Sequence, residues 1–258
     1  MALIGICCWD TEENGRSTYT EKTLKSLLDT VDFTRHRLVV ADNNSCYKTK
    51  RILKFYQHVI PGMVVITLKE NIGTAKAINK CWAKKDNGEH VIKMDNDVDI
   101  MEVGWVDLME ECLSRDPKLG IVSLKRGDLE EHPDHENTWY KSTLKMLPHE
   151  RGQRWIVVER VSHCMGTCQM YNSALIDKIG GLSQMDGLYG FDDSLAAARC
   201  QKAGFYSAFV HGVEIIHLDK GGDDYTKWKQ VYAGEMMEKF NQYKKEYLDG
   251  TRDIYDPL

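Results

Sequence analysis

The sequence predicts an α/β fold: a mostly parallel central sheet flanked by helices and followed by a C-terminal helical tail. In the first half, short apolar runs alternate with segments of helical periodicity, and successive runs lie roughly 20 to 25 residues apart. Such repeats are typical of parallel strands joined by crossover helices. The 258 residues, 42% of them hydrophobic and 28% charged, are enough to bury a substantial core.

The elements of the first half follow from the spacing of their apolar residues. Leu24, Leu27 and Leu28 recur at helical intervals between two apolar runs, and Ser17 or Thr18 is a candidate N-cap for that helix. The other segments are interpreted in the same way. Strands are predicted at 3–8, 36–45, 63–69, 90–95 and 120–125, and helices at 17–31, 49–59, 73–85 and 104–115.

The second half is less regular. Residues 125–160 are polar and rich in His and Arg, and so long an insertion is expected to be a functional loop or a disordered segment. The pattern then predicts a strand at 164–171, a helical turn at 173–182, a helix at 193–204, strands at 206–211 and 213–218, and a tail helix at 225–250. Since no repeat or linker interrupts the chain, we expect a single domain over 1–258.

Charge and cysteine content narrow the possible functions. A net charge of −5 and a pI near 6.0 argue against a nucleic-acid binder. The sequence contains no run of about 18 apolar residues, so no transmembrane helix is predicted. The segment "MALIGICCWD" lacks the basic leader of a signal peptide and is interpreted as a first buried strand. The eight cysteines are therefore expected to be reduced thiols in a cytoplasmic protein. His163, Cys164 and Cys168 lack a second pair at zinc-site spacing, so buried packing is the preferred interpretation.

Three aspartates at alternate positions follow a buried strand in "VIKMDNDVDI". Because side chains alternate along an extended chain, Asp95 and Asp97 point the same way about 6 to 7 Å apart. Two carboxylates this close repel each other, and a divalent cation such as Mg²⁺ would remove the repulsion. Further acidic residues follow other apolar runs, and the carboxyl ends of parallel strands meet at one edge of a sheet. The acidic residues expected at that edge are Asp10, Asp42, Glu70 and Asp95.

Alternatives to a metal–diphosphate site differ in how well the aspartate motif fits them. A calcium loop starting at Asp95 would need Gly at position 100 and Glu at 106, where the chain has Ile100 and Val106. A phosphohydrolase of the haloacid-dehalogenase type, with Asp95 as its nucleophile, stays open. So does an exposed acidic loop that binds no ligand.

Six segments in order resemble the signature of glycosyltransferase family 2. They are "VVADNNS" (39–45), "ENIGTAKAIN" (70–79), "MDNDVD" (94–99), "GTCQMYNSALIDKIGGL" (166–182), "YGFDDSLAAARCQKAG" (189–204) and "IIHLDKGG" (215–222). The resemblance implies a Rossmann-like GT-A fold and an inverting transfer of sugar from a nucleotide-sugar donor, with a UDP-sugar favoured. It also implies Mn²⁺ or Mg²⁺ as cofactor. The donor half would then be 1–124, the acceptor and catalytic half 125–222, and the helical tail 223–258.

The resemblance assigns roles to single residues. Asp95 and Asp97 match the family's D-x-D metal motif, and His217 matches a histidine that often completes the metal or diphosphate site. Asp193 matches the catalytic base at the start of a helix, with Asp192 as the alternative. Two departures lie in this motif, because Asp192 replaces the usual Glu and Leu195 replaces a second Asp. The donor-binding set is Asp10, Asp42, Asn43, Asn71, Gly73, Lys76, Asp95 and Asn96. Gly73 would also open a helix whose amides favour phosphate.

The acceptor side is expected to consist of the 125–160 insertion and a loop at 219–228. Four aromatic residues there could stack on sugars, although each could equally be a core residue: Trp139, Tyr140, Trp155 and Trp228. The acceptor would be a saccharide, a lipid-linked saccharide or another hydroxyl compound, with no nucleic-acid partner and with peripheral membrane contact open. The irregular Leu195 also leaves open a nucleotide-sugar-binding protein without activity.

Overall fold

The fold is taken from a computed structural model that describes residues 1–128, 141–221 and 224–258, with side chains at all of these except 224–226 and 228–230. The strands are β1 Ala2–Cys8, β2 Arg37–Asp42, β3 Val64–Thr67, β4 His90–Met94, β5 Val98–Asp99, β6 Leu119–Arg126, β7 Thr143–Met146, β8 Val157–Val161, β9 Cys168–Tyr171 and β10 Tyr206–His217. The helices are α1 Ser17–Thr30, α2 Tyr47–Val59, α3 Thr74–Trp82, α4 Trp105–Arg115, α5 Ser173–Ile179, α6 Asp192–Lys202 and α7 Asp224–Asp249.

The strands form one sheet in the order β3-β2-β1-β4-β9-β6-β10-β8-β7, and the short β5 pairs with the end of β10. The first four neighbours are parallel, with Ile4 in register with Leu38 on one side and Ile92 on the other. β9 then runs antiparallel between β4 and β6. The predicted α/β class is thereby confirmed, with a parallel half and a mixed half.

Alternating side chains of β1 divide the core into two layers. Ile4 and Ile6 belong to the layer that contains α1 and α4, whereas Leu3 faces the layer formed by α3, α5 and α6. In the second layer Trp82 is fully buried, packs edge-on against Tyr171 at 4.9 Å between ring centroids, and donates from Nε1 to the Ile92 carbonyl at 3.1 Å. Both faces of the central strands are thus buried, as their continuous apolar runs predict.

Several predicted boundaries are wrong for physical reasons. α1 starts after Arg16, so Ser17 lies inside the first turn, where its hydroxyl bonds to Thr49 at 2.8 Å rather than capping. The two strands predicted around Gly212 are one strand, β10, whose pairing with β6 shifts register between Phe209 and Glu214. The insertion contains a described hairpin, β7–β8, which the polar sequence did not reveal because β7 is largely exposed.

Replacing Trp82 with Ala is expected to lower the free energy of unfolding by about 3 to 5 kcal/mol, because it removes a buried indole and its hydrogen bond. Urea denaturation followed by circular dichroism measures the loss. Trp155→Ala is the matched control: Trp155 is 67% exposed and stacks only on His149 among its aromatic neighbours in the described residues. The control should change stability by less than about 0.5 kcal/mol. Equal losses in the two variants would contradict the assignment of Trp82 to the core.

Candidate functional site

A cavity of about 340 Å³ opens at the carboxyl edge of the parallel strands. Its walls come from the ends of β1, β4 and β10, the start of α6, and the loops at 163–167 and 188–191. This is the edge at which ligands bind in open α/β sheets. The predicted site residues that line it are Asn43, Asn71, Asp95, Asn96, Asp97, Asp192, Asp193 and His217.

Asp97 lies at the bottom of the cavity and is only 4% exposed. Arg16 forms an ion pair with its Oδ2, and the same guanidinium donates to Asp219 Oδ2 at 2.7 Å. The Asp97 carbonyl accepts from the backbone N–H of Leu218 at 2.8 Å. Arg16 therefore connects the D-x-D motif to the segment that follows β10, and it compensates two buried carboxylates at once.

His217 brings a nitrogen ligand to the same carboxylate. Its Nδ1 lies 2.8 Å from the carbonyl oxygen of Asp219, so the ring proton is assigned to Nδ1. The other ring nitrogen, Nε2, lies 3.5 Å from Asp97 Oδ1 and carries the lone pair when the ring is neutral. A histidine oriented by a backbone carbonyl, with its other nitrogen beside a carboxylate, is the usual arrangement of a metal ligand. Together with Asp95, these donors suit Mn²⁺ or Mg²⁺.

Asp95 faces the cavity with its side chain 36% exposed, and a buried lysine stands behind it. Lys93, on β4, places Nζ 3.3 Å from Asp95 Oδ1 and 3.4 Å from Asp192 Oδ2, and donates to the Gly166 carbonyl at 2.8 Å. The approach is so close that a Cβ at position 166 would collide with the Lys93 ammonium. Lys93 thus joins the D-x-D motif to the start of α6.

Burial and charge shift the pKa values in this cluster. Burial is the main cause that raises the pKa of the Asp192 carboxyl, and Asp193 and Asp95 add to it, while Lys93 opposes them. For Lys93, burial alone would lower the pKa, but Asp192, Asp95 and Asp193 together raise it well above its usual range. The ammonium therefore stays charged and holds the carboxylates together.

Asp193 is held in a different way from its neighbour. Its Oδ1 accepts from the backbone N–H of Ser194 at 2.7 Å, and its Oδ2 accepts from the N–H of Gly166 at 2.9 Å. The carboxylate is half-buried at the wall of the cavity, while Asp192 is turned toward Lys93. Two backbone donors thus fix the orientation of the Asp193 carboxylate.

Two predicted donor residues lie under the cavity wall instead of lining it. Asp10 is fully buried; its Oδ2 accepts from Thr20 at 2.7 Å and Thr49 at 2.9 Å, and its Oδ1 accepts from Asn96 Nδ2 at 2.9 Å. Asp42 is also buried, and its Oδ1 accepts from the N–H of Ser45 at 2.7 Å. Asp10 thereby orients Asn96, which does line the cavity, and Asp42 shapes the turn after β2.

Side chains of the protein itself form hydrogen bonds across the backbone turn that leads into α3. Asn43 Nδ2 donates to Asn71 Oδ1 at 2.7 Å, and Asn71 Oδ1 also accepts from the N–H of Gly73 at 2.9 Å. Gly73 has φ of 89°, and a Cβ there would collide with Gln184. Gln184 Oε1 accepts from the N–H of Lys76 at 3.1 Å. The amides of Gly73, Thr74 and Lys76 at this helix start thus already have partners in the fold, and Lys76 lies in a separate depression together with Glu70.

Comparison with known proteins decides the family. The model of the family described as "Glycosyl transferase family 2" matches residues 12–180, about two thirds of the chain. The chain belongs to glycosyltransferase family 2. Among curated proteins, no match to the sequence is found.

Solved structures of glycosyltransferases share the GT-A fold with this family 2 member. A mannosyltransferase, PcManGT from Pyrobaculum calidifontis in complex with GDP-Man and Mn²⁺, superposes with a TM-score of 0.69 at 17% identity; the match covers 93% of this chain and 63% of that one. S. aureus TarS 1-349 gives 0.63 at 16% identity, covering 96% and 71%. GalNAc-T7 with UDP, GalNAc and Mn²⁺ gives 0.63 at 13%, covering 96% and 50%. The chain thus spans less than two thirds of the mannosyltransferase's length.

The departure of this family 2 member from the motif at Leu195 has a packing explanation. Leu195 is fully buried and joins Met185, Phe240 and Tyr247 in the apolar contact between α6 and α7. A carboxylate there would be buried among apolar groups. Arg199, one turn further along α6, is also fully buried and donates to the carbonyls of Ile179, Gly181 and Ile254.

The sequence also led to predictions for cysteine and aromatic residues outside the motifs. Cys164 and Cys168 are fully buried and free, as expected of packing residues. Trp155 is exposed and stacks on His149, away from the cavity. Trp139 and Tyr140 lie outside the described residues, and the side chain of Trp228 is likewise outside them.

Sequence reasoning missed Arg16, Lys93 and Gly166. Lys93 could have been noticed, since it is the single charge inside the apolar run "VIKM", where a buried cation needs a nearby anion. Nothing in the sequence pairs Arg16 with Asp97, which is 81 positions away.

Outside the cavity, His36, Asp107 and Glu110 form a group of possible metal ligands whose ligand atoms all lie within 4.8 Å of one another. It lies at the start of β2, the sheet edge opposite the cavity. His36 Nδ1 accepts from the N–H of Ala2, so Nε2 carries the proton that faces Asp107 Oδ1 at 3.2 Å. Arg35 pairs with both carboxylates. The group is therefore neutralised by its own neighbours and supports the fold.

Replacing Lys93 with Met should lower the free energy of unfolding by about 3 to 5 kcal/mol, because it leaves buried carboxylates without their cation. The pKa of Asp192 would rise further, and a carboxyl whose pKa is raised on folding costs stability as pH climbs above its unfolded value. The loss relative to wild type should therefore be larger at about pH 8 than at about pH 5. Denaturant titrations at the two pH values measure it.

Lys125→Met is the matched control for this prediction. Lys125 also faces a carboxylate, Glu159 at 3.4 Å, but its side chain is 21% exposed. Its replacement should cost less than about 1 kcal/mol at either pH. A loss in Lys93→Met that is as small as this, or that does not depend on pH, would remove Lys93 from its central role.

Proposed function

We propose that the protein transfers a sugar from a nucleotide-sugar donor to an acceptor hydroxyl, with a divalent metal and with inversion at the anomeric carbon. The observation that carries the proposal is that the D-x-D aspartates, His217 and Asp193 line one cavity. Metal ligands and a fixed carboxylate are thus available to the leaving group and the attacking hydroxyl in the same space. Membership of glycosyltransferase family 2 supports this reaction class.

Asp95, Asp97 and His217 are the proposed metal ligands. Two of the similar structures, PcManGT and GalNAc-T7, contain Mn²⁺, which supports that metal or the similar Mg²⁺. When bound, such a cation stabilises negative charge on a leaving diphosphate. Arg16 contacts Asp97 and Lys93 contacts Asp95, so both carboxylates are held at the cavity by a neighbouring cation.

Asp193 is the proposed general base, because its carboxylate lies at the cavity wall and two backbone N–H groups hold it in one orientation. It would accept the proton of the acceptor hydroxyl as that oxygen attacks the anomeric carbon. A single displacement of this kind inverts the configuration. Asp192 is assigned a positioning role through Lys93, because it is buried and its Oδ2 lies 3.4 Å from the Lys93 ammonium.

Donor recognition is proposed for Asn43, Asn71 and Asn96, which line the cavity as amide donors and acceptors. Asp10, Asp42 and Gly73 would act through them, by the hydrogen bonds described above, and Lys76 would contact the donor only from the neighbouring depression. A UDP-sugar is the favoured donor. Neighbouring structures hold GDP-Man and UDP-GlcNAc, so a guanosine donor belongs in the same assay.

The acceptor is proposed to be a saccharide, a lipid-linked saccharide or another hydroxyl compound. The halves 1–124 and 125–222 with the tail 223–258 would work as one domain. All eight cysteines are free, which supports a reducing, cytoplasmic location. No described helix has the length and apolar character needed to cross a membrane.

Replacing Asp97 with Asn should weaken Mn²⁺ binding by at least about tenfold, since a neutral amide is a poor ligand for a hard cation. Electron paramagnetic resonance of free Mn²⁺ measures binding without any turnover. Donor hydrolysis, followed by release of nucleoside diphosphate from UDP-, GDP- and dTDP-sugars, should fall in parallel and stop with chelator.

Asp99→Asn is the control, because Asp99 belongs to the same aspartate run but pairs through β5 with Ile216, outside the cavity lining. It should bind Mn²⁺ like wild type. If Asp99→Asn and Asp97→Asn bind equally well, the proposed metal site is wrong. Phosphate release from simple phosphate esters, with every nucleotide sugar left intact, would instead favour the phosphohydrolase.

Replacing Asp193 with Asn should lower kcat by about 10² to 10⁴ in transfer to a working acceptor, the usual contribution of a general base. Donor affinity, measured by calorimetry, should change by less than about threefold, because the amide keeps the shape of the carboxylate. Asp177→Asn, an exposed aspartate on α5, serves as the control and should leave both quantities unchanged. Unchanged kcat in Asp193→Asn would exclude this base.

A further inference from the structure

The outward side of α2 carries a surface that the proposed reaction does not use. Its six residues, called here the basic–aromatic face, border one open depression of about 500 Å³: Tyr47, Lys50, Arg51, Lys54, Phe55 and His58. α2 contains four Lys or Arg residues and no Asp or Glu, although the whole chain has a net charge of −5. Positive charge is therefore concentrated on one helix of an acidic protein.

The packing of α2 does not need this face. Thr49, Leu53 and Tyr56 form its buried side, with Thr49 bonded to Ser17 of α1. Tyr47 is 72% exposed and Phe55 61%, values that leave most of each ring in water. Large aromatic side chains exposed together on a soluble surface mark an interaction site more often than scattered apolar residues do.

We propose that the basic–aromatic face of α2 docks the protein on an anionic lipid surface. Lysine and arginine side chains are attracted to the negative headgroups, and aromatic rings interleaved with them favour the boundary between headgroups and acyl chains. The Arg51 guanidinium lies 6.0 Å from the centre of the Tyr47 ring, so cation and ring occupy the same patch. An extended nucleic-acid site is disfavoured, because the acidic chain lacks the basic excess such sites need.

One end of the basic–aromatic face lies near the edge of the sheet that carries the cavity. α2 begins at Tyr47, four positions after Asn43, which lines the cavity at the carboxyl edge of the sheet. Contact through α2 would therefore place the Tyr47 end of the face at the cavity-bearing edge, while His58 lies toward the opposite edge, where β3 begins. The inference uses no residue assigned to donor, metal or base, so it stands apart from the proposed function.

Sedimentation with sucrose-loaded vesicles tests the proposal on the full chain. Vesicles of phosphatidylcholine alone are compared with vesicles that contain about 30% phosphatidylglycerol, at low and high salt. We expect binding to the anionic vesicles only, and loss of that binding near 1 M salt, where charges are screened within about 3 Å.

A triple charge reversal, Lys50→Glu, Arg51→Glu and Lys54→Glu, should reduce the fraction bound by at least about tenfold. The control makes the same change in net charge at exposed lysines elsewhere: Lys118→Glu, Lys244→Glu and Lys245→Glu. It should bind nearly as wild type does. A second variant, Tyr47→Ser with Phe55→Ser, keeps every charge and should still weaken binding several-fold, which separates ring insertion from simple attraction.

Three outcomes would overturn the proposal: no binding of wild type to anionic vesicles, equal losses in the two triple variants, or binding to DNA or an acidic protein with no response to lipid. Unfolding curves that match wild type verify that the α2 variants are folded. Their donor hydrolysis should equal that of wild type, because α2 lies outside the cavity. Failure of donor hydrolysis in wild type would refute the proposed function and leave the docking result unaffected.

Discussion

Four carboxylates converge at the carboxyl edge of the sheet, and their mutual repulsion is the constraint that the surrounding structure has to meet. Asp95, Asp97, Asp192 and Asp193 all line the same cavity. Isolated charges are costly to bury, so each needs an opposite charge or several hydrogen-bond donors. Arg16 compensates Asp97, while Lys93 stands between Asp95 and Asp192. Backbone amides do the same for Asp193.

These compensating groups also join parts of the chain that are far apart in sequence. Arg16 precedes α1 and binds Asp97 and Asp219, so it fastens the end of β10 to the D-x-D motif. Lys93 links β4 to the start of α6 and to Gly166. Charge neutralisation is thus a source of rigidity as well as of stability, and rigid positioning is what metal ligands and a general base need.

The sheet topology brings these partners together. β9 is antiparallel between β4 and β6, which places the loop at 163–167 directly above the end of β4, and Asp95 donates its N–H to Thr167 at 3.0 Å. In that loop, the Gly166 carbonyl accepts a hydrogen bond from Lys93 Nζ, and the Gly166 N–H donates to Asp193 Oδ2. A side chain at this position would separate the two halves of the site, so glycine is required by close approach.

The sequence by itself determined the alternation of strands and helices, the acidic motif after β4 and the family, because these depend on local periodicity and on motifs only a few residues long. It could not reveal the hairpin β7–β8, whose exposed residues carry no burial pattern, or the continuity of β10 through its register shift. Only the tertiary structure decided that Asp10 and Asp42 lie beneath the cavity wall while Asp193 lies at it. Likewise, the pairing of Arg16 with Asp97 and the burial of Leu195 against α7 arise from contacts across long stretches of chain, which no local pattern encodes.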